Sequence, residues 1–591
     1  MMYRLLLVCL LAPAFAASSW STPSVVATSR DLAPEVQKSI AEGRALLKAG
    51  KAQEALALFE KADTASQNDP DAHIWVLRAW IELGRLNDAL NEADRMTKAK
   101  IDTAGLDYIY GIGSFQRARN VMQAGGNPGL AFGDAVTYLQ SALDRDPLTY
   151  ADAWIVLAHA SWYLPELDRA LAAIDKAVEY DPQSAMVRSI EGEVHFSAYK
   201  DAVMNAKEGE EVPKDHAQTA LAAFARAAEL TPKDPAHGAD QFAIWRQLGY
   251  VHAWLKDMPK ASESFAEAIA WAPEPGDYFP MWQSLAPEGD LTLYNTTLER
   301  GLEGYRKRFG KEGSGAATIL WWLGYGQMTA KKYEQAEASF HEAVERNKGY
   351  ANSWFYIGLT RYYRQDYAGA CESWLTYWDL DPQGLVNTIL ADETNMLPIV
   401  EFAVAKVTEA GYGGRGSLES LRTAERMNQV LAATKPSNAT YANNLGLLRR
   451  DIGEIAWNQN PEESEARATM AMFESSLKAY EQALALAPDD PGFLNDAAVV
   501  LQYYLGRDLD KAREYYQRAQ TQAGEWIARE SWKSLPENQQ ANEESRIRTA
   551  LKDSGDNLAK LEKGEVGNRG PLGKEKRKGK GKKQVDANAP K

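Results

Sequence analysis

Residues 351–382 read ANSWFYIGLTRYYRQDYAGACESWLTYWDLDP, and this stretch decides the fold. Trp354 precedes Ile357 and Gly358 by three and four residues; after a polar break at Arg364, Gln365 and Asp366 come Ala370, Trp374, Tyr377 and Pro382. Spacings of three and four place side chains on one face of a helix. The stretch therefore predicts two short helices, the second stopped by its proline. The order recurs at an interval of 34: Gly324, Ala336 and Phe340 stand that far before Gly358, Ala370 and Trp374. From Ala151 it reads Trp154, Leu157, Ala158, Ala170, Ile174, Ala177, Pro182; from Phe242 it reads Trp245, Leu248, Gly249, Ala261, Phe265, Ala268, Pro273. Small residues let two antiparallel helices approach, and large ones fill the space between neighbouring pairs. One pair cannot bury its own face, so such units must stack.

The pattern resembles the tetratricopeptide repeat, whose period is about 34. That resemblance implies an all-α fold, a right-handed α-solenoid of stacked antiparallel helix pairs, and a binding role rather than catalysis. Weaker units carry Gly43 with Phe59, Gly84 with Ala89, Gly111 with Leu139, Gly192 with Phe224, and Gly446 with Tyr480. About ten units are expected between residues 34 and 525: units 1–6 over 34–273, units 7–8 over 317–382, and units 9–10 over 439–525. Residues 274–316 and 383–438 break the period, each as a spacer or a degenerate helix pair. Residues 526–562 read as capping helices.

The small residues of the two helices are ordinarily 12 apart, as from Ala158 to Ala170. Gly111 to Ala135 is 24, Gly192 to Ala220 is 28 and Gly446 to Ser476 is 30. Insertions near 117–131 and 200–216, and around 460–465, are therefore expected inside a pair, projecting from one edge of the array.

With 591 residues the chain is too long for one ordinary core, which suits a repeat array. Its net charge of -15 argues against general nucleic-acid binding by the body. The ends differ from the body. Arg4, the apolar run Leu5 to Ala12, and Ala14-Phe15-Ala16 read as a Sec-type signal peptide over 1–16, followed by a linker over 17–33. A periplasmic or secreted protein with no transmembrane segment in the mature chain is expected. Lipidation at Cys9 is the alternative, disfavoured by Val8 before it. Residues 560–591 hold 11 Lys/Arg against 4 Asp/Glu, and 563–591 read as a disordered basic tail that could contact an anionic envelope surface weakly.

Catalytic and metal motifs are wanting. His341-Glu342 lacks the second His of a zincin, since Glu345 stands there, and the seven His are scattered, so no cofactor and no metal are expected. Cys371, alone once Cys9 leaves with the signal, reads as a buried helix residue. The resemblance implies that first helices line a concave face at about their second, fifth, ninth, twelfth and thirteenth positions. Carried onto this chain, those positions place His159, Trp162 and Tyr163; Arg246, Tyr250 and Trp254; Trp321, Tyr325 and Met328; and Phe355, Tyr362 and Tyr363 there. The Lys and Asn that chaperone-binding members carry at the fifth and ninth positions are missing. The rings either form a groove for a protein partner or pack as core between first helices. A carbohydrate- or cell-wall-binding role is the runner-up, because the same rings could stack on sugars. Mass measurement of the mature protein should find Ala17 at its N-terminus; an intact Met1 would refute export.

Overall fold

The computed structural model describes residues 32–271, 276–310, 313, 315–413 and 418–573. The expected signal peptide, most of the linker and the tail from residue 574 lie outside them. The described residues form two compact units, one ending at Ala330 and the other beginning at Lys331. Among these residues all regular structure is helical.

Unit 1 runs α1 (Pro34–Lys48), α2 (Ala52–Ala65), α3 (Pro70–Glu82), α4 (Leu86–Lys98), α5 (Ala104–Gln123), α6 (Gly129–Arg145), α7 (Ala153–Tyr163) and α8 (Leu167–Tyr180). It continues with α9 (Ala185–Asn205), α10 (Asp215–Leu230), α11 (Gly238–Trp254), α12 (Met258–Ile269), α13 (Phe279–Leu285), α14 (Thr292–Phe309) and α15 (Gly315–Thr329). Each helix from α2 to α12 packs on the one before and the one after. First helices also meet across pairs: α1 on α3, α3 on α5, α5 on α7, α7 on α9 and α9 on α11. That double contact is the stacking of a solenoid. The period break at 274–316 holds the short α13 and then α14, which packs on both α12 and α15 and so continues the stack.

Unit 2 runs α16 (Tyr333–Arg346), α17 (Ser353–Tyr363), α18 (Tyr367–Leu380), α19 (Pro382–Ala391), α20 (Glu393–Tyr412) and α21 (Leu418–Thr434). After these come α22 (Ala439–Gln459), α23 (Glu463–Leu486), α24 (Pro491–Val499), α25 (Leu509–Ala528) and α26 (Glu537–Glu562). The second period break is a helix pair, α20 against α21, wedged between α18 and α22.

Local chemistry sets these boundaries. Pro70, Pro382 and Pro491 stand in the first turn, where no amide donor is needed. Asp257, Asp366 and Asp381 accept backbone N–H groups at helix starts. Within pairs the turn repeats a left-handed residue, at Gly84, Lys256 and Gln365, followed by a backbone bond back into the helix, such as Asp257 N–H to His252 O at 2.9 Å.

The decisive contact repeats too. A Cβ added to Gly192 would fall 2.7 Å from the Phe224 ring, and one added to Gly446 would fall 2.6 Å from the Tyr480 ring. Gly43 meets Phe59, Gly249 meets Phe265 and Gly358 meets Trp374 in the same way. All five rings are fully buried. Trp374 also donates its indole N–H to the Phe355 carbonyl at 3.1 Å, tying second helix to first.

One expectation is corrected. A disordered arm is expected from Lys563, but Gly564–Gly573 folds back onto unit 2. Past Val499 the chain makes a π-helical turn, Val500–Leu505, whose last carbonyls lack helical donors. Gly567 and Arg569 N–H supply them, reaching the Gln502 and Tyr503 carbonyls at 2.8 and 3.2 Å. The Arg569 guanidinium meets the Tyr504 hydroxyl at 3.1 Å and Glu454 at 3.3 Å.

Gly249→Ala should force the Phe265 ring aside, and Ala268→Leu should overpack the same pair. Each is expected to cost about 1–3 kcal/mol, read as a fall of several degrees in the thermal melt.

Candidate functional site

The first helices of unit 1 carry several of the sequence-predicted residues, and their rings meet one another. Phe132 of α6 stacks on Tyr163 at 4.5 Å, Tyr163 on His159 at 4.9 Å, and His159 lies 5.5 Å from Phe115 of α5. Trp162 donates its indole N–H to Ser197 Oγ of α9 at 2.8 Å, bridging α7 to α9. On α11, Tyr250 stands edge-on to Phe265 at 5.1 Å, and Trp254, 39% exposed, stands edge-on to Phe196 at 6.3 Å. Packing and exposure are therefore combined in this row: Trp162 and Tyr163 serve largely as cement, and Trp254 offers a free ring.

Trp321 and Tyr325 of α15 stack in parallel at 5.7 Å, and Trp282 lies 5.6 Å from Tyr325. Both are half-buried members of a ring cluster rather than free rings. In unit 2, Phe355 is 2% exposed and packs against Tyr356 and Trp374, so it is core and is withdrawn from the predicted groove. Its ring packs on Trp374 of α18, the large ring that fills the space at Gly358, and so is taken into the interior of its pair. Tyr362 packs edge-on to Tyr367 and Phe402, while Tyr363, 45% exposed, stacks on Tyr333 at 5.5 Å.

Unit 1 adds charges that the sequence reading passed over. Glu193 of α9 keeps partial access to solvent, yet burial raises its carboxyl to about 7 against the opposing pull of Lys200 and Arg246. His159 is half-accessible too, and burial, helped by Arg119, pushes it down to about 3, so it is neutral at physiological pH. Burial lifts the Tyr163 and Tyr250 hydroxyls to about 12. These influences link neighbours in order: Arg119 with His159 and Tyr163, Tyr163 with Glu193, Glu193 with Arg246, Arg246 with Tyr250. These groups lie on α5, α7, α9 and α11.

Three cations on these helices form no ion pair among the described residues. Lys200 lies over the Phe196 ring at 4.6 Å, Arg246 lies over Phe242 at 5.1 Å, and Arg246 Nε is buried without an acceptor. Arg119 is the third; its charge acts on Glu82, which pairs with Arg78, while Arg188 pairs with Glu191. Two of the three exist because of the insertions. Arg119 and Lys200 each stand eight residues after their small residue, Gly111 and Gly192, where an ordinary first helix such as α7 has already ended. Glu193 was legible: it follows Gly192 as Tyr250 follows Gly249.

Three segments, 46–104, 132–198 and 323–384, match family models described as tetratricopeptide repeat. The chain carries tetratricopeptide repeats. Among solved structures it is similar to a thermophilic TPR protein of Thermus thermophilus, at 23% identity over 34% of this chain and 93% of that one, with a TM-score of 0.25. It is also similar to yeast Tom70, at 13% identity over 89% of this chain and 96% of that one, with a TM-score of 0.19. No curated protein matches the chain. Among the described residues no group of three or more His, Cys, Asp or Glu could hold a metal. No described helix is long and apolar enough to cross a membrane.

Trp254→Ala should leave the melting temperature nearly unchanged, because its ring is free on one side. Trp321→Ala should cost about 3 kcal/mol as a packed ring is removed. Circular-dichroism melts of the two variants check the contrast, and equal losses would overturn it.

Proposed function

We propose that this repeat protein is a non-enzymatic scaffold that holds a segment of another protein along the inner face of unit 1, outside the cytoplasm. What supports the reading is a row of partly exposed aromatic and ionisable side chains on consecutive first helices, His159 and Tyr163 on α7, Glu193 on α9, and Tyr250 with the 39% exposed Trp254 on α11. Stacked repeats commonly use such a surface for extended partners. Trp254 supplies an aromatic anchor of the kind that dominates binding energy. The proposal that the protein acts outside the cytoplasm rests on the signal-like run at 1–16, and the basic end from residue 574 is proposed to contact an anionic envelope surface.

The test is capture from an envelope extract, scored for protein and for polysaccharide, with wild-type and Trp254→Ala protein side by side. A bound protein should be released by the substitution, with affinity weakened roughly thirtyfold for a hot-spot loss of about 2 kcal/mol. Retention of polysaccharide alone would favour a sugar-binding role. Equal capture by both proteins would remove Trp254 from the site.

A further inference from the structure

Where the second helix pair meets the third, α4, α5 and α6 leave a cavity of about 540 Å³, within the range of small-molecule sites. We propose that it is a binding site for a neutral pyranose sugar. It shares no residue with the ring row on the first helices and does not depend on that row binding anything. Its lining is of two kinds. Tyr110 of α5 and Tyr138 of α6 supply rings 5.3 Å apart, tilted by 34°, and Ile101 and Leu106 add apolar surface. Tyr138 is 37% exposed, so its ring can be reached from solvent. Asp94, Thr97, Lys100 and Asp107 supply polar groups from α4, the turn after it and α5. A pyranose carries the same two kinds of surface: C–H faces that rest on an aromatic ring, and a rim of hydroxyls that need acceptors and donors.

The polar groups hold one another and still leave capacity for a ligand. Tyr110 donates its hydroxyl to Asp94 Oδ1 at 2.8 Å and lies 3.0 Å from Thr97 Oγ1, which itself donates to the Ala93 carbonyl. Burial raises the Tyr110 hydroxyl to about 12, so it keeps its proton at physiological pH. Asp94 is exposed and forms no ion pair among the described residues, so its second oxygen is open to a hydroxyl donor. Such a charge-assisted bond is stronger than one between neutral groups. Lys100, exposed and likewise without an ion pair among the described residues, is a donor for a sugar oxygen. Asp107 is already held: it accepts from Ser141 Oγ at 2.7 Å and from Arg145 at 2.9 Å, and Arg145 also pairs with Asp102 at 2.9 Å. Charge settles the ligand class. The carboxylates of Asp94, Asp102 and Asp107 outnumber the cations Lys100 and Arg145, which leaves the site net negative. An acidic sugar or a phosphate is therefore repelled. A simple ammonium ion would satisfy a carboxylate but leave the rings and most of the cavity unfilled.

Saturation-transfer NMR on the full chain tests this with methyl glucoside, N-acetylglucosamine, glucuronate and butylamine as probes. The two neutral sugars should receive saturation, strongest at their ring C–H protons, and bind at about millimolar strength. Glucuronate should bind at least roughly tenfold more weakly, with the gap narrowing as salt is added. Tyr138→Ala should weaken sugar binding by roughly tenfold or more, while Tyr138→Phe, which keeps the ring, should bind as wild type does. Asp94→Asn should weaken it by a similar factor, since the charged acceptor is lost. Both side chains are exposed, so the thermal melts of these variants should match that of the parent. Absence of saturation in both neutral sugars overturns the proposal. So does sugar binding that neither Tyr138→Ala nor Asp94→Asn changes, because the sugar then sits elsewhere. Glucuronate binding as tightly as methyl glucoside overturns the charge reading, and butylamine binding in place of the sugars would make this an ammonium site instead.

Discussion

A helix without a side chain at one position, pressed against a large ring from its partner, is the contact on which the rest depends. Gly43, Gly192, Gly249, Gly358 and Gly446 each lie where a Cβ would enter a Phe, Trp or Tyr ring. The ring fills the hollow completely and locks the angle of the pair, because close-packed interiors resist any change of volume. With the angle set, the first helices fall into a row, touching α1 to α3 and onward to α11. The row is what brings together side chains far apart in the chain, such as Trp162 with Ser197 and Phe196 with Trp254.

The same constraint explains why the insertions extend the array rather than disturb it. Added residues enter at the turn within a pair, beyond the last glycine–ring contact, so the pair only grows longer. Helices α5 with α6, α9 with α10 and α22 with α23 are lengthened in this way. In unit 1 the extra turns carry Arg119 and Lys200 past the reach of an ordinary repeat.

Unit 2 closes differently. Arg546 of α26 grips Asp490 with two hydrogen bonds at 2.8 Å, and Tyr503 donates to Asn557 at 2.9 Å, so the last long helix covers α24. The folded stretch to Gly573 then occupies the carbonyls left open by the π-helical turn. Each step satisfies backbone or side-chain groups that the end of an array would otherwise leave without partners.

The repeat, its period and its second-helix rings could be read from the chain, because a local spacing of three, four and thirty-four is a property of neighbours in sequence. The offset of each aromatic was readable too, and it named Trp254 and Tyr363, which are exposed, beside Phe355, which is core. What the offset could not supply is depth. Whether a ring at that position faces water or a neighbour depends on the size of residues from adjacent helices, such as Phe132 under Tyr163 and Phe196 under Trp254. The folded end of the chain escaped notice because Lys and Gly dominate its composition, while its anchors, Glu454 and the Gln502 and Tyr503 carbonyls, lie far away in sequence. The raised carboxyl of Glu193 and the unmet donor at Arg246 Nε likewise exist only in three dimensions: desolvation is set by how many atoms crowd a group, and no local pattern counts them.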